Sequence, residues 1–407
     1  MSIELATAKP HTHGVGEVPS ETVPPKTKSQ LLRSFEPADF PALTGREEDW
    51  RFTPIKRLAG LADLDTAPAV KAAEYAIRDL PEGVTADAIG KEDQRLGSIL
   101  TPFDRPSAVA WAKSEKALLV SVAPEAAVSA PVWIDVTGGG LDGATWAHTF
   151  IEIGHHADVT MIVRHTGLAR LGDNVEISVG DGAHLRLVVV AEWDRESTHV
   201  EHQKARLGRD AKLDHVAVTL GGDLVRQYLS VDYAAQGGSV DAYGLYFADA
   251  GQHLEQRQLV DHSVPDCRSN VNYRGALQGE TAHTVWVGDV LIQDKATGTD
   301  TYEINRNLVL SDGARADSVP NLEIETGEIV GAGHASTTGR FDEEHLFYLQ
   351  SRGIPEPEAR RLVVKGFFNE VLQKVPDAGL REELTELVVA RLDAGEFVAP
   401  GDIETGA

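Results

Sequence analysis

Gly154-His155-His156-Ala157-Asp158-Val159, Gly180-Asp181-Gly182-Ala183-His184-Leu185, Gly208-Arg209-Asp210-Ala211-Lys212-Leu213 and Gly237-Gly238-Ser239-Val240 repeat one pattern: turn residues, a small residue, then alternating apolar positions. With Ala157, Ala183, Ala211 and Ser239 as equivalent points, the steps are 26, 28 and 28 residues. A near-constant period of this size in β-rich sequence points to a solenoid, in which each coil stacks its strands on the coil before it. Such a coil cannot bury its apolar face alone, so the repeats specify a stack. The evenly spaced hairpins of a β-sandwich are the alternative. A solenoid also ends in open sheet edges, which require caps or a partner.

Short β-rich runs punctuated by glycine extend from Pro131 to Pro320. Upstream, residues 1–27 hold Pro10, Pro19, Pro24 and Pro25 with almost no apolar periodicity, too little to offset the entropy of ordering. From Ser29 to Val128 the patterns are mixed: Leu31, Leu32 and Phe35 at helical spacing, a Trp50-Arg51-Phe52-Thr53-Pro54 segment, and a buried-strand pattern at Ala117–Val122. After Gly339 the period becomes helical. Asp342 is placed to cap Glu343-Glu344-His345, Phe341 and Leu346 form a hydrophobic staple, and Gly353 stops the helix. Ala359, Leu362, Val363, Phe367, Val371 and Leu372 share one face of a second helix, and Leu380, Leu384, Leu387, Val388 and Leu392 one face of a third. The expected division is a disordered arm (1–28), an N-terminal α+β or helical domain (29–128), a β-helix core (129–338), a C-terminal helical domain (339–396) and a tail (397–407).

The 407 residues exceed the usual size of a single core, and 42% hydrophobic residues suffice for burial. Lys+Arg 38 against Asp+Glu 63 leaves a formal charge of -25, which repels phosphate backbones and anionic membrane surfaces. No apolar run approaches the roughly 20 residues that span a bilayer, and Met1 to Lys28 lacks the basic start and apolar middle of a secretory signal. A soluble cytoplasmic protein with neither nucleic acid nor membrane as partner is expected. The lone Cys267 forms no internal disulfide and cannot by itself supply the thiolates of a zinc or cluster site. Metal chemistry here must lean on histidine and carboxylate or be shared with another chain.

Catalytic signatures are missing. The one Gly-Lys pair, Gly90-Lys91, is followed by Glu92, so no P-loop and no ATP site is present. No G-x-S-x-G, H-E-x-x-H or paired C-x-x-C occurs. Of fifteen histidines, His11 and His13 lie in the arm and His155-His156 in a repeat turn. His199 and His202, with Glu192 and Glu196 nearby, would suit a metal on a helix; on a strand they point to opposite faces, and an exposed loop is the plainer reading. Cys267 reads as a small core residue. His334 differs by position: Gly331, Gly333 and Gly339 free the backbone around it at the end of the β region.

An ordered series now stands out: Gln252-His253, Asp261-His262 through Asp266-Cys267-Arg268-Ser269, Tyr273-Arg274-Gly275, Thr299-Asp300, Asn305-Arg306-Asn307-Leu308-Val309-Leu310-Ser311, Pro320-Asn321-Leu322-Glu323-Ile324, then His334 onward through Leu346-Phe347-Tyr348-Leu349-Gln350-Ser351-Arg352-Gly353. From about residue 250 to 372 it resembles the core of the SufB/SufD family of iron-sulfur cluster assembly proteins. Glu47-Glu48-Asp49-Trp50-Arg51 with Thr53 is similar to the amino-terminal E-x-W-R-x-T pattern of the SufD branch.

The resemblance implies a mainly β chain: a right-handed parallel β-helix flanked by N-terminal and C-terminal helical regions. It implies a SufB-type partner paired through the β-helix, a SufC-type ABC ATPase held by the C-terminal helices in the region of Phe347, Arg352, Phe367 and Phe368, and a cysteine desulfurase system acting indirectly. It further implies a transient iron-sulfur cluster shared with the SufB-type chain, to which this chain brings His334. Some relatives carry a cysteine two residues before that histidine; Ala332 stands there, which favours a SufD-type over a SufB-type subunit. Flavin belongs to complexes of this family, and no residue pattern here places one. The expectation is a non-catalytic assembly subunit. The alternatives are a purely structural paralogue without iron contact and a β-helix carbohydrate-active enzyme.

Overall fold

The repeated turns are the corners of stacked coils. At each corner the residue before the small one has a left-handed backbone: His156 (φ 55), Gly182 (φ 64), Asp210 (φ 54), Gly237 (φ 82) and Asp266 (φ 60). Glycine takes this conformation freely, and Asp and His tolerate it better than most residues. The small residue that follows is stacked in a ladder of backbone hydrogen bonds, from His184 N to Ala157 O, Lys212 N to Ala183 O, Ser239 N to Ala211 O, and Arg268 N to Gly238 O. Gly238, and not Ser239, therefore occupies the position of Ala211. The sequence alignment is one residue out there because Gly237 and Gly238 read alike as turn residues. Cys267 continues the same column, its carbonyl accepting from Asp300 N, and is fully buried.

The computed structural model describes residues 31–395 except 70, 71, 79 and 342, and without the side chains of 343–345. The expected arm with His11 and His13, the tail and the Asp342 cap lie outside the described residues.

Each coil contributes one strand to each of two nine-stranded sheets. The first runs β1 (Glu74–Arg78), β4 (Val132–Thr137), β6 (Asp158–Gly167), β8 (His184–Trp193), β10 (Lys212–Thr219), β12 (Ser239–Ala248), β14 (Arg268–Leu277), β16 (Asp300–Val309), β18 (Gly331–Arg340). The second runs β2 (Val84–Gly90), β3 (Lys116–Val122), β5 (Gly140–Ile153), β7 (Ala169–Val179), β9 (Thr198–Leu207), β11 (Leu224–Tyr233), β13 (His253–His262), β15 (His283–Ile292), β17 (Arg315–Ile324). Neighbours from β3 and β4 onward are parallel, which is the solenoid and not the sandwich. β3, the strand expected at Ala117–Val122, pairs parallel with β5, so the sheets reach back across the boundary expected at residue 128. At this end the stack is closed by antiparallel strands, β1 on β4 and β2 on β3.

The interior core is aliphatic toward the first coils, with Val159, Leu185, Leu213 and Val240 buried in register. α1 (Arg105–Lys113), capped by Asp104 through Ser107 N, packs on the outer face of the second sheet with the N-terminal segment, where Trp50 and Leu61 meet Val200 and Leu224. α2 (Glu343–Ser351), α3 (Glu356–Leu372) and α4 (Ala378–Ala394) follow the last strand. α3 and α4 cover the outer face of the first sheet, burying Val364, Phe368, Val371, Leu380, Leu384 and Val388 against Val188, Val216, Leu245 and Phe247. Gly353 (φ 84) ends α2 as expected. The buried face of α3 is rotated from the expected one: Leu362 is 46% exposed, while Val364 and Phe368 face the sheet.

Candidate functional site

β17 and β18 are the last strands of their sheets, and no further strand covers them among the described residues. β18 is parallel to β16, with Thr301, Glu303, Asn305 and Asn307 opposite Ala332, His334, Ser336 and Thr338. These β16 residues point into the solenoid and are buried. Their β18 counterparts share that face: Ala332 packs on the interior core, and Thr338 Oγ1 accepts from Asn307 Nδ2 at 3.4 Å. His334 therefore stands over the interior at its open mouth. With no coil above, it is exposed, and no described residue hydrogen-bonds its ring.

Directly below in register is Glu303, 1% exposed. Neither carboxyl oxygen has a hydrogen-bond partner. Burial, with Asp289 adding repulsion, lifts its pKa to about 8. Its carboxyl lies over Gly288: a Cβ there would come 2.1 Å from Oε2 and 2.5 Å from the Trp286 ring, so glycine leaves room for both. Asp289 accepts from Asn321 Nδ2 at 2.8 Å. The asparagines farther along β16 are satisfied, Asn307 Nδ2 donating to Asn305 Oδ1 (2.8 Å) and Tyr246 OH to Asn307 Oδ1 (2.9 Å).

On the C-terminal helices, Phe347 is 73% exposed and the Arg352 guanidinium lies 4.6 Å from the Tyr348 ring, so these residues form an open surface. Phe367 is half-buried under the guanidinium of Arg274, which donates to the Phe367 carbonyl at 2.6 Å and to Glu370. Phe368 is fully buried against Phe247 and presents nothing to a partner.

The histidine pair on β9 is not in a loop. His199 and His202 are both buried, because the second sheet has the interior on one face and the N-terminal segment on the other. Strand alternation separates them as expected: His202 meets Phe103 and bonds Ser230 Oγ at 3.1 Å, while His199 joins an interior group with His165, Asp173 and Glu201 whose donor atoms lie within 4.8 Å of one another. That group has a metal-like composition that sequence spacing does not show, since its members come from three strands. Its hydrogen bonds favour another role. The Trp193 indole donates to His199 Nδ1 at 3.1 Å, so the neutral ring carries its proton on Nε2, which is then a donor and not a ligand. Burial raises the pKa of Asp173, with the register-paired Glu201 adding to it, and raises that of Glu201 to about 6, so the pair resists carrying two negative charges.

Most motif residues of the sequence prove to be joints. Thr53 Oγ1 donates to Glu255 Oε2 at 2.6 Å, and Arg226, bonded to Glu255 at 3.1 Å, stacks 3.8 Å from the Trp50 ring. This ties the N-terminal segment to β13. Burial opposes ionisation of Glu255, but Arg226, His253 and Arg257 outweigh it and hold the carboxyl well below its usual range. His262 bonds Ser269 Oγ at 2.9 Å, and Cys267 fills the corner column, where burial raises its thiol pKa.

A family model described as SUF system FeS cluster assembly, SufBD core domain, matches residues 136–367. An iron-sulfur cluster assembly SufBD family protein of Mycobacterium bovis is 50% identical over 375 residues, 91% of this chain and 94% of that protein. One of Mycobacterium leprae is 47% identical over 91% of this chain and 95% of its own length. The iron-sulfur cluster assembly protein SufD of Escherichia coli is 26% identical over 64% of this chain and 62% of its own.

Proposed function

Because the chain belongs to the SufBD family of iron-sulfur cluster assembly proteins, we propose that it is a SufD-type, non-catalytic subunit of a cytoplasmic assembly complex. It pairs the open end of its solenoid with a SufB-type chain, docks a SufC-type ATPase on its C-terminal helices, and offers His334 to the cluster built between the two solenoids. The observation that carries this reading is the placement of His334, exposed, without a hydrogen bond from any described residue and facing the interior at the end of the stack where, among the described residues, no strand follows β17 and β18. A histidine kept for packing or hydrogen bonding would be covered or partnered. Here the imidazole is free to take a ligand, and a partner seated on β17 and β18 would bring its own thiolate to the same mouth. Imidazole replaces thiolate on an iron of some clusters and makes a ligation that geometry or protonation can undo, which suits a scaffold that must release its product. Opening of the paired ends, driven by ATP hydrolysis in the partner, would admit iron and sulfur.

Co-purification with SufB-type and SufC-type partners, followed by anaerobic reconstitution read by absorbance, tests this. His334→Ala is expected to leave fold and complex intact and to abolish the cluster signal. An unchanged signal would make this chain a structural subunit only.

A further inference from the structure

Iron arriving at the mouth meets more than one residue of this chain. Register places Glu303 immediately below His334 on the same face, and adjacent strands in a sheet lie about 4.8 Å apart. Glu303 is the exception among the interior polar residues of β16, because Asn305 and Asn307 bond one another and their neighbours while both Glu303 oxygens are left without a partner. A buried carboxyl without partners costs stability that an apolar side chain would not, and it sits with the Trp286 ring in the space that Gly288 leaves. Unpartnered, buried and next to an exposed imidazole, it has the geometry of a donor waiting for a cation. Carboxylate oxygen and imidazole nitrogen together suit Fe(II) before sulfide arrives, whereas thiolates favour the finished cluster.

Resting on the assignment of His334 as an iron ligand, we propose that Glu303 is a second ligand from this chain, holding incoming Fe(II) from the coil below while His334 holds it from the last coil. Neither the family match nor the series of motif residues singles Glu303 out.

The test uses the full complex with its SufB-type and SufC-type partners, kept anaerobic and free of sulfide. Fe(II) alone is titrated into wild type, His334→Ala, Glu303→Gln and Glu303→Asp, and Co(II) serves as the spectroscopic probe. Circular dichroism melts check folding, and Glu303→Asp, which keeps the carboxylate but withdraws it, is read if Glu303→Gln does not fold. The expected result is Fe(II) affinity roughly tenfold or more weaker in both His334→Ala and Glu303→Gln, an intermediate loss in Glu303→Asp, and altered Co(II) ligand-field bands in Glu303→Gln. Weakened binding in His334→Ala with wild-type affinity and bands in Glu303→Gln would overturn the role of Glu303 and leave His334 standing. Wild-type binding in both variants would overturn the reading of His334 and the inference with it.

Discussion

Glu303 stays protonated at neutral pH in the folded chain, since burial lifts its pKa from 4.5 to about 8, while in the unfolded chain it ionises near 4.5. A raised folded pKa means the folded state holds a proton the unfolded state has lost. The group's contribution is full below about pH 4.5, declines as pH rises, and is gone above about 8, a change on the order of 5 kcal/mol. Urea unfolding between pH 5 and 8.5 should therefore show wild type losing stability with pH more steeply than Glu303→Gln, which carries no charge at any pH. Parallel pH profiles for the two proteins would show that Glu303 titrates normally. The residue was not legible in the sequence for a physical reason. Along β16 the interior face is Thr301, Glu303, Asn305 and Asn307, while Tyr302 and Ile304 face outward, so hydrophobic alternation assigns this strand the wrong way round. His334 was legible because three glycines isolate it, and its exposure follows from ending the stack.

α3 shows what an element's sequence settles and what it leaves open. Helix and stop are local matters, and the Gly353 terminus is where spacing puts it. The buried stripe is not local: α3 has apolar residues on two faces, and the one that packs on the sheet carries Val364, Phe368 and Val371, with Arg274 of β14 bonding the Phe367 carbonyl and Glu370 beside it. The corners, in contrast, are legible because a left-handed residue followed by a small one is needed at every coil. Two of the three phenylalanines expected to dock the ATPase, Phe347 and Phe368, should behave oppositely. Phe368→Ala empties a fully buried site and should cost about 3–5 kcal/mol, seen as a lower melting temperature. Phe347→Ala removes an exposed ring and should change stability by less than about 0.5 kcal/mol. In pull-downs with a SufC-type ATPase, Phe347→Ala should bind more weakly. Full retention by Phe347→Ala would move the docking surface elsewhere on the helices.

The whole molecule is a one-dimensional stack whose two ends are treated differently. The parallel coils end in antiparallel β1 and β2 on one side, whereas on the other, among the described residues, no strand follows the parallel β17 and β18, and unpaired strand edges are templates for another chain. Within β18 the backbone groups alternate in direction. Phe341 N donates to Val309 O on β16, so residues 335, 337 and 339 point that way while 334, 336 and 338 present their N–H groups to the open side. Against association stands the formal charge of -25, which repels a second copy and is screened at high ionic strength. In the absence of a partner, sedimentation velocity should thus show wild type self-associating as concentration and salt rise. Ser336→Pro deletes one outward donor without touching the ladder to β16, and should shift the chain toward monomer while its melting temperature holds. Adding a SufB-type partner should suppress the self-association of wild type, because both would compete for one edge. A wild-type chain that stays monomeric at every concentration and salt would mean the open end is shielded, and the pairing surface would have to be sought on another face of the solenoid.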